Sequence, residues 1–133
     1  MTTNGQMDSV GDENAGFSFG FDSPKGVFEV RAWGFWNVDI ATAFGVRVVG
    51  MLGQQPGAKR LVLDMTALKP MREEGQRSFA NVCRALRNVG VTNTTVVTSS
   101  QLTKLQLARI VTESGASTTV QWVSGTAENM RNT

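Results

Sequence analysis

The residues with the most chemical potential in this chain cluster in the stretch RLVLDMTALKPMREEGQRSFANVCRALRNVG, residues 60–90. Asp64 interrupts an apolar run near its carboxyl end, where open α/β sheets gather polar functional groups; its alternative role is to accept hydrogen bonds from a neighbouring loop. Glu73 and Glu74 fall in the first turn of a predicted helix, where the helix dipole favours negative charge. Glu73 also stands four residues before Arg77, the spacing of an ion pair worth about 0.3 kcal/mol. Arg77, Arg84 and Arg87 form a basic set on the same helix, suited either to solvation or to an acidic partner. Catalytic chemistry is harder to build. The chain contains no His and no Tyr, which removes the usual general base and the usual metal ligand at neutral pH. No nucleophile–base pair, carboxylate pair or metal-ligand spacing replaces them, so an enzyme, a cofactor and a metal centre are all unexpected.

At 133 residues the chain suits one domain, with a sizeable core but little room for cofactor-binding machinery. Thirteen Lys and Arg against eleven Asp and Glu leave a formal net charge of +2. That small excess argues against nucleic acid as a partner, because duplex binding needs a clustered basic face. Cys83 is the only cysteine and borders the apolar stripe of its helix, so it reads as a core-edge hydrophobe in a reducing compartment. The N-terminus MTTNGQMDSVGDENAG lacks the basic start and apolar centre of a signal peptide, and no apolar run approaches membrane-spanning length. A cytoplasmic location without membrane insertion is the expectation.

The elements that must position these residues follow from periodicity. Residues 1–15 are polar and Gly-rich, with too little apolar surface to offset ordering entropy, and are expected to form a disordered tail ahead of a single domain over 16–133. Phe17, Phe19 and Phe21 alternate with small residues as a strand does, and Val27, Phe28, Val30 and Ala32 supply a second strand after the Asp22–Gly26 turn. An antiparallel hairpin is predicted. Asn37 caps a helix reaching about Gly53, whose core stripe is Ile40, Ala41, Phe44, Val48, Met51 and Leu52. Val38, Thr42, Val46 and Val49 make a second apolar stripe on it. Leu61, Val62, Leu63 and Met65 form a strand over 60–66 of the kind covered on both faces of a parallel sheet. In the helix over 71–89, Gly75, Phe79, Val82, Leu86 and Val89 share one face, opposite Arg77, Asn81, Arg84 and Asn88. A β-branched strand over 94–98, a helix from Ser99 or Ser100 to about Glu113, and a last strand over 118–123 complete the order β-β-α-β-α-β-α-β. Such an order folds as α/β, a mixed sheet with a parallel centre packed against helices.

Order, length and central motif together resemble the STAS domain, the family of the bacterial anti-sigma factor antagonists and of the cytoplasmic domains of sulfate transporters, over roughly residues 17–125. In antagonists of this family, a strand ending in an aliphatic-Asp or aliphatic-Asn pair leads to an Asp-Ser-Ser-Gly-type motif that opens the next helix. The serine before the glycine is phosphorylated by the partner kinase. Here Leu63-Asp64 matches the strand end and Met71-Arg72-Glu73-Glu74-Gly75 matches the motif. Gly75 keeps the glycine, Glu74 stands in place of the phosphoacceptor serine, Glu73 in place of the other hydroxyl residue, and Arg72 in place of the Asp. A carboxylate carries about one negative charge, against nearly two for a phosphoserine, so it is a partial mimic and the substitution permits a permanently phospho-like surface. The resemblance implies a non-catalytic regulatory module that binds a protein partner, with Thr66, Arg72, Glu73, Glu74 and Arg77 as its candidate contact residues. Thr66 and Ser78 are the nearest hydroxyl alternatives to the lost phosphoacceptor, and Thr66 is the one expected to be exposed in the loop.

Two further groups are candidates for a ligand pocket or an interface. Trp33, Phe35 and Trp36 gather where the second strand meets the first helix and either line a pocket or close the core. Leu102, Leu105 and Ala108 form an apolar stripe on the last helix, opposite Leu107, Ile110 and Val111. These features keep a small-ligand domain, binding a lipid or a nucleotide, as the alternative to a protein-binding module. They also raise the prospect of a homodimer.

Overall fold

The computed structural model describes residues 8–22, 26–54, 59–115 and 120–125. Six strands, β1 (Asp8–Gly11), β2 (Ala15–Asp22), β3 (Val27–Gly34), β4 (Lys59–Leu68), β5 (Val91–Thr98) and β6 (Val120–Ser124), form one sheet in sequential order. β1, β2 and β3 pair antiparallel; β3, β4, β5 and β6 pair parallel. Each parallel step carries a crossover: α1 (Val38–Phe44), a π-helical segment (Gly45–Val49) and α2 (Gly50–Gly53), then α3 (Glu73–Asn88), then α4 (Gln101–Glu113). Three right-handed crossovers stepping in one direction put all the helices on one face of the sheet. The predicted hairpin, helices and mixed sheet with a parallel centre are all present.

Four expectations need correction. The tail predicted over residues 1–15 contributes β1, in register from Asp8↔Phe19 to Gly11↔Gly16. Low apolar content is offset there by ladder hydrogen bonds and by Val10, which packs against the core. The Trp33 indole N–H also donates to the Asp12 carbonyl at 2.7 Å, holding the β1–β2 turn. β4 is covered by helices on one face only. Phe28, Val30, Leu61, Leu63, Met65 and Val96 point into the core, while Glu29, Arg31, Val62, Asp64 and Thr95 occupy the other side. The first predicted helix runs to Gly53 but not as a regular α-helix, passing through a π-helical segment where Gly45 lies so close to Val82 of α3 that a Cβ would sit 2.9 Å from the Val82 Cγ2 methyl. β4 also runs on to Leu68, which places Thr66 in the strand and not in the loop. The predicted turn at residues 23–25, part of the loop before β4, the start of the last strand and the C-terminal turn lie outside the described residues.

The core is densest around β2, β3 and β4. Phe17, Trp36, Phe44 and Phe79 form a buried aromatic cluster, with ring centroids 5.5 Å apart for Phe17–Phe44, 5.2 Å for Trp36–Phe44 and 5.7 Å for Phe44–Phe79. The apolar stripe of α3 is buried as its spacing predicts, with Gly75, Phe79, Val82 and Leu86 inside and Arg77, Asn81, Arg84 and Asn88 exposed. Cys83 is buried beside them, and loss of hydration pushes its thiol pKa up to about 12.

Candidate functional site

β3 and β4 end at the same edge of the sheet, and α1 and α3 begin there. Gly34 closes β3 with a φ of +77°, and a Cβ at that position would lie 1.9 Å from the Asn14 carbonyl oxygen. Only glycine fits this exit. The chain then passes Phe35, which is 64% exposed, and buries Trp36, whose indole N–H donates to the Gly16 carbonyl at 2.9 Å. Asn37 caps α1, its side-chain oxygen accepting from the Ile40 N–H at 2.9 Å. Between this corner and the N-terminus of α3 lies a groove of ≈ 550 Å³, with Trp36, Val38, Pro70 and Met71 among its walls and Arg72 and Glu74 on its polar side.

Gly75 explains itself geometrically. A Cβ there would lie 3.3 Å from the Trp36 carbonyl oxygen and 3.6 Å from the Met71 Cβ, so the glycine lets the first turn of α3 press against the α1 corner. Glu73 and Glu74 project outward from that turn. Glu73 meets Arg77 at 3.9 Å, with both side chains largely exposed, so the pair is worth little. The Glu74 carboxylate forms no ion pair or hydrogen bond among the described residues. Arg72 occupies the N-cap position without a side-chain capping bond.

The loop between β4 and α3 is held by side chains that periodicity did not single out. Gln106 of α4 clamps Met71, accepting from its backbone N–H at 2.8 Å and donating to its carbonyl at 3.1 Å. The Gln76 amide donates to the same carbonyl at 2.9 Å, and the Arg109 guanidinium donates to the Gln76 side-chain oxygen. The Thr103 hydroxyl donates to the Leu68 carbonyl at 3.3 Å, the Ser99 hydroxyl to the Thr66 carbonyl at 2.8 Å, and the Lys69 N–H to the Gly34 carbonyl at 3.0 Å. The groove wall is therefore backbone fixed from three directions. Glutamine at position 106 lies between the two apolar stripes of α4, and reading that helix by its apolar residues alone passes it over.

Asp64 and Thr66 are tied to each other on the sheet face opposite the helices. Asp64 is only 2% exposed; one carboxylate oxygen accepts from the Thr66 hydroxyl at 2.7 Å and from the Thr66 N–H at 3.1 Å. Its other oxygen faces the Arg31 Nε at 3.4 Å and has no hydrogen bond among the described residues. Asp64 thus accepts hydrogen bonds, but from Thr66 of its own strand and not from a neighbouring loop as its sequence position suggested. Thr66 is half-buried with its hydroxyl engaged, which separates it from the exposed Arg72, Glu73, Glu74 and Arg77. Trp33 likewise lies away from the groove, at the β1–β2 turn. Leu102 and Leu105 are exposed on α4, at 59% and 58%.

Over this geometry, the chain is similar to the crystal structure of an anti-sigma factor antagonist from Mycobacterium paratuberculosis, with a TM-score of 0.52 and 16% sequence identity, covering 96% of this chain and 92% of that one. The fold is STAS-like. No family model matches the sequence, and no curated protein matches it. Among the described residues no helix is long and apolar enough to cross a membrane, and no group of three or more His, Cys, Asp or Glu is placed to hold a metal ion.

Proposed function

We propose that this chain is a non-catalytic regulatory module that docks a protein partner on the surface formed by the groove and the first turn of α3, with Arg72, Glu73, Glu74 and Arg77 as contacts. The observation that carries this reading is Glu74. It is an exposed carboxylate, without an ion pair or hydrogen bond among the described residues, on the rim of a ≈ 550 Å³ groove, next to the glycine that the motif requires, in a STAS-like fold. In this reading Glu74 supplies permanently, with about one charge, what phosphorylation supplies with nearly two. The module then needs no kinase to set its state. Thr66 acts from behind the loop, through its bonds to Asp64 and Ser99, and not as a phosphoacceptor. A cytoplasmic location accords with the reduced, buried Cys83.

The test is intact-mass analysis of protein from its native cells. An unphosphorylated chain is expected, and stoichiometric phosphate on Thr66 or Ser78 would restore a switching mechanism. A lipid or nucleotide ligand has less room. The interior cavity between α3, α4, β5 and β6 measures ≈ 30 Å³, space for about two water molecules, so such a ligand would have to occupy the open groove. Native mass spectrometry of the freshly purified protein distinguishes the two readings, because retained ligand mass favours the small-molecule one. Self-association belongs to the same proposal. Val46 is 68% exposed on the π-helical segment, and Leu102 and Leu105 stand free on α4. Sedimentation should show a dimer broken by Val46→Glu or by Leu105→Glu, and a clean monomer at micromolar concentration would remove the idea.

A further inference from the structure

A second groove, of ≈ 720 Å³, runs between the outer faces of α3 and α4. Arg77 and Arg84 stand on its α3 wall and Arg109 on its α4 wall, over a floor that includes Ala80 and Ile110. Arg77 and Arg84 are separated by two helical turns, about 10 Å along the axis. What distinguishes the pair Arg84 and Arg109 is the company they keep. Arg84 donates to the Asn81 side-chain oxygen at 2.8 Å and Arg109 to the Gln76 side-chain oxygen, both neutral amides. Among the described residues neither has a carboxylate within ion-pair distance, whereas Arg77 is partly neutralised by Glu73. Each amide occupies one donor of its guanidinium group without quenching the charge, which leaves the remaining donors available to an incoming acceptor.

We propose that the α3–α4 groove docks an acidic peptide segment of a partner protein, its carboxylates meeting Arg84 and Arg109 from the two walls. Charge complementarity selects this occupant. Glu73 and Glu113 also line the groove, so a polyanion of uniform density, such as nucleic acid, would meet repulsion that spaced carboxylates avoid. The groove is open along its length and not a closed cradle, which suits an extended segment better than a compact anion. The Arg109–Gln76–Met71 hydrogen bonds run from this groove to the loop beside Glu74, and Glu73 and Arg77 border both surfaces, whereas Arg84 and Arg109 belong to this groove and not to the surface beside Met71.

The experiment uses the full chain and a fluorescein-labelled peptide of alternating glutamate and alanine, followed by anisotropy at low and at roughly physiological ionic strength. The wild-type protein should bind, more weakly as salt rises. The double variant Arg84→Glu/Arg109→Glu should bind at least about tenfold more weakly, in the direction expected for removing paired charges. Arg84→Glu alone should also weaken binding, and it leaves the Gln76 and Met71 bonds untouched, so a folding defect cannot explain the loss. Circular dichroism of each variant checks the fold. Arg60→Glu should bind like wild type, which separates this site from general basic charge. Equal binding by the double variant, or an equal loss with Arg60→Glu, would overturn the proposal. So would displacement by inorganic phosphate at equal charge concentration, or tighter binding of a single-stranded oligonucleotide through the same arginines.

Discussion

Around β2, β3 and β4 the interior is aromatic, with Phe17, Phe28, Phe44 and Phe79 fully buried and Trp36 closing the cluster, whereas around β5 and β6 the same layer holds Val96, Leu107, Ile110 and Val111. The aromatic half sets the corner where α1 and α3 start, and so sets the groove. The aliphatic half contributes little bulk but much direction. From α4 come Gln106 and Thr103, and from the end of β5 comes Ser99, each bonded to the backbone of β4 or the loop after it. Packing on one side builds the site, and hydrogen bonds from the other side hold its wall in register. Stability and surface geometry should therefore respond to different substitutions.

The largest effect should come from the aromatic half. Phe79→Ala removes a ring that touches both Trp36 and Phe44 and should cost about 3–5 kcal/mol in denaturant unfolding. Arg84→Ala, on the exposed face of the same helix, should stay within about 0.5 kcal/mol. Equal losses would mean that the two faces of α3 are not distinguished as described. A smaller effect should come from the aliphatic half. Gln106→Ala leaves the Met71 N–H without its partner and should cost about 1–3 kcal/mol. The sharper readout is hydrogen exchange, which should speed at Met71 and its neighbours while the amides of β3 and the centre of β4 stay protected. Uniform acceleration across the sheet would show that the clamp supports the whole fold and not the loop.

The smallest effect is chemical and concerns Cys83, at the seam between the halves. Burial raises its thiol pKa to about 12, so the neutral form persists in the folded state, and iodoacetamide should label the native protein far more slowly than the unfolded one at pH 8. The sign of the linked stability follows. A group whose folded pKa is raised contributes fully below its unfolded value, and this contribution fades as pH climbs from about 9 toward 12. Rapid native labelling at neutral pH would mean that the seam opens.

The apolar stripes of α3 and α4, the hairpin and the glycine of the central motif were all legible in the sequence, because each rests on a period or on a residue type with one mechanical use. Phe79, Leu86, Leu107 and Ile110 lie where their spacing puts them. β1 was not legible, because its four residues, Asp8–Gly11, are held by backbone pairing to β2, and the turn after them by a bond from Trp33 to Asp12, 21 residues away in sequence. The loop clamp was hidden for the same reason. Gln106 and Met71 are 35 residues apart, and nothing local in either marks the pairing. β4 runs past its predicted end at residue 66 to Leu68, across a register shift against β3 between Arg31 and Trp33, and nothing local in Ala67 or Leu68 marks that extension.

The central claim is that a fixed, permanently acidic surface at the start of α3 recruits a protein partner. The most direct measurement is quantitative affinity capture from native cells with the wild-type chain and Glu74→Lys side by side, after both are shown to melt alike. The partner recovered with wild type should be lost with Glu74→Lys, since the reversed charge lies on the groove rim and touches nothing in the core. A partner retained in full by Glu74→Lys would contradict the account.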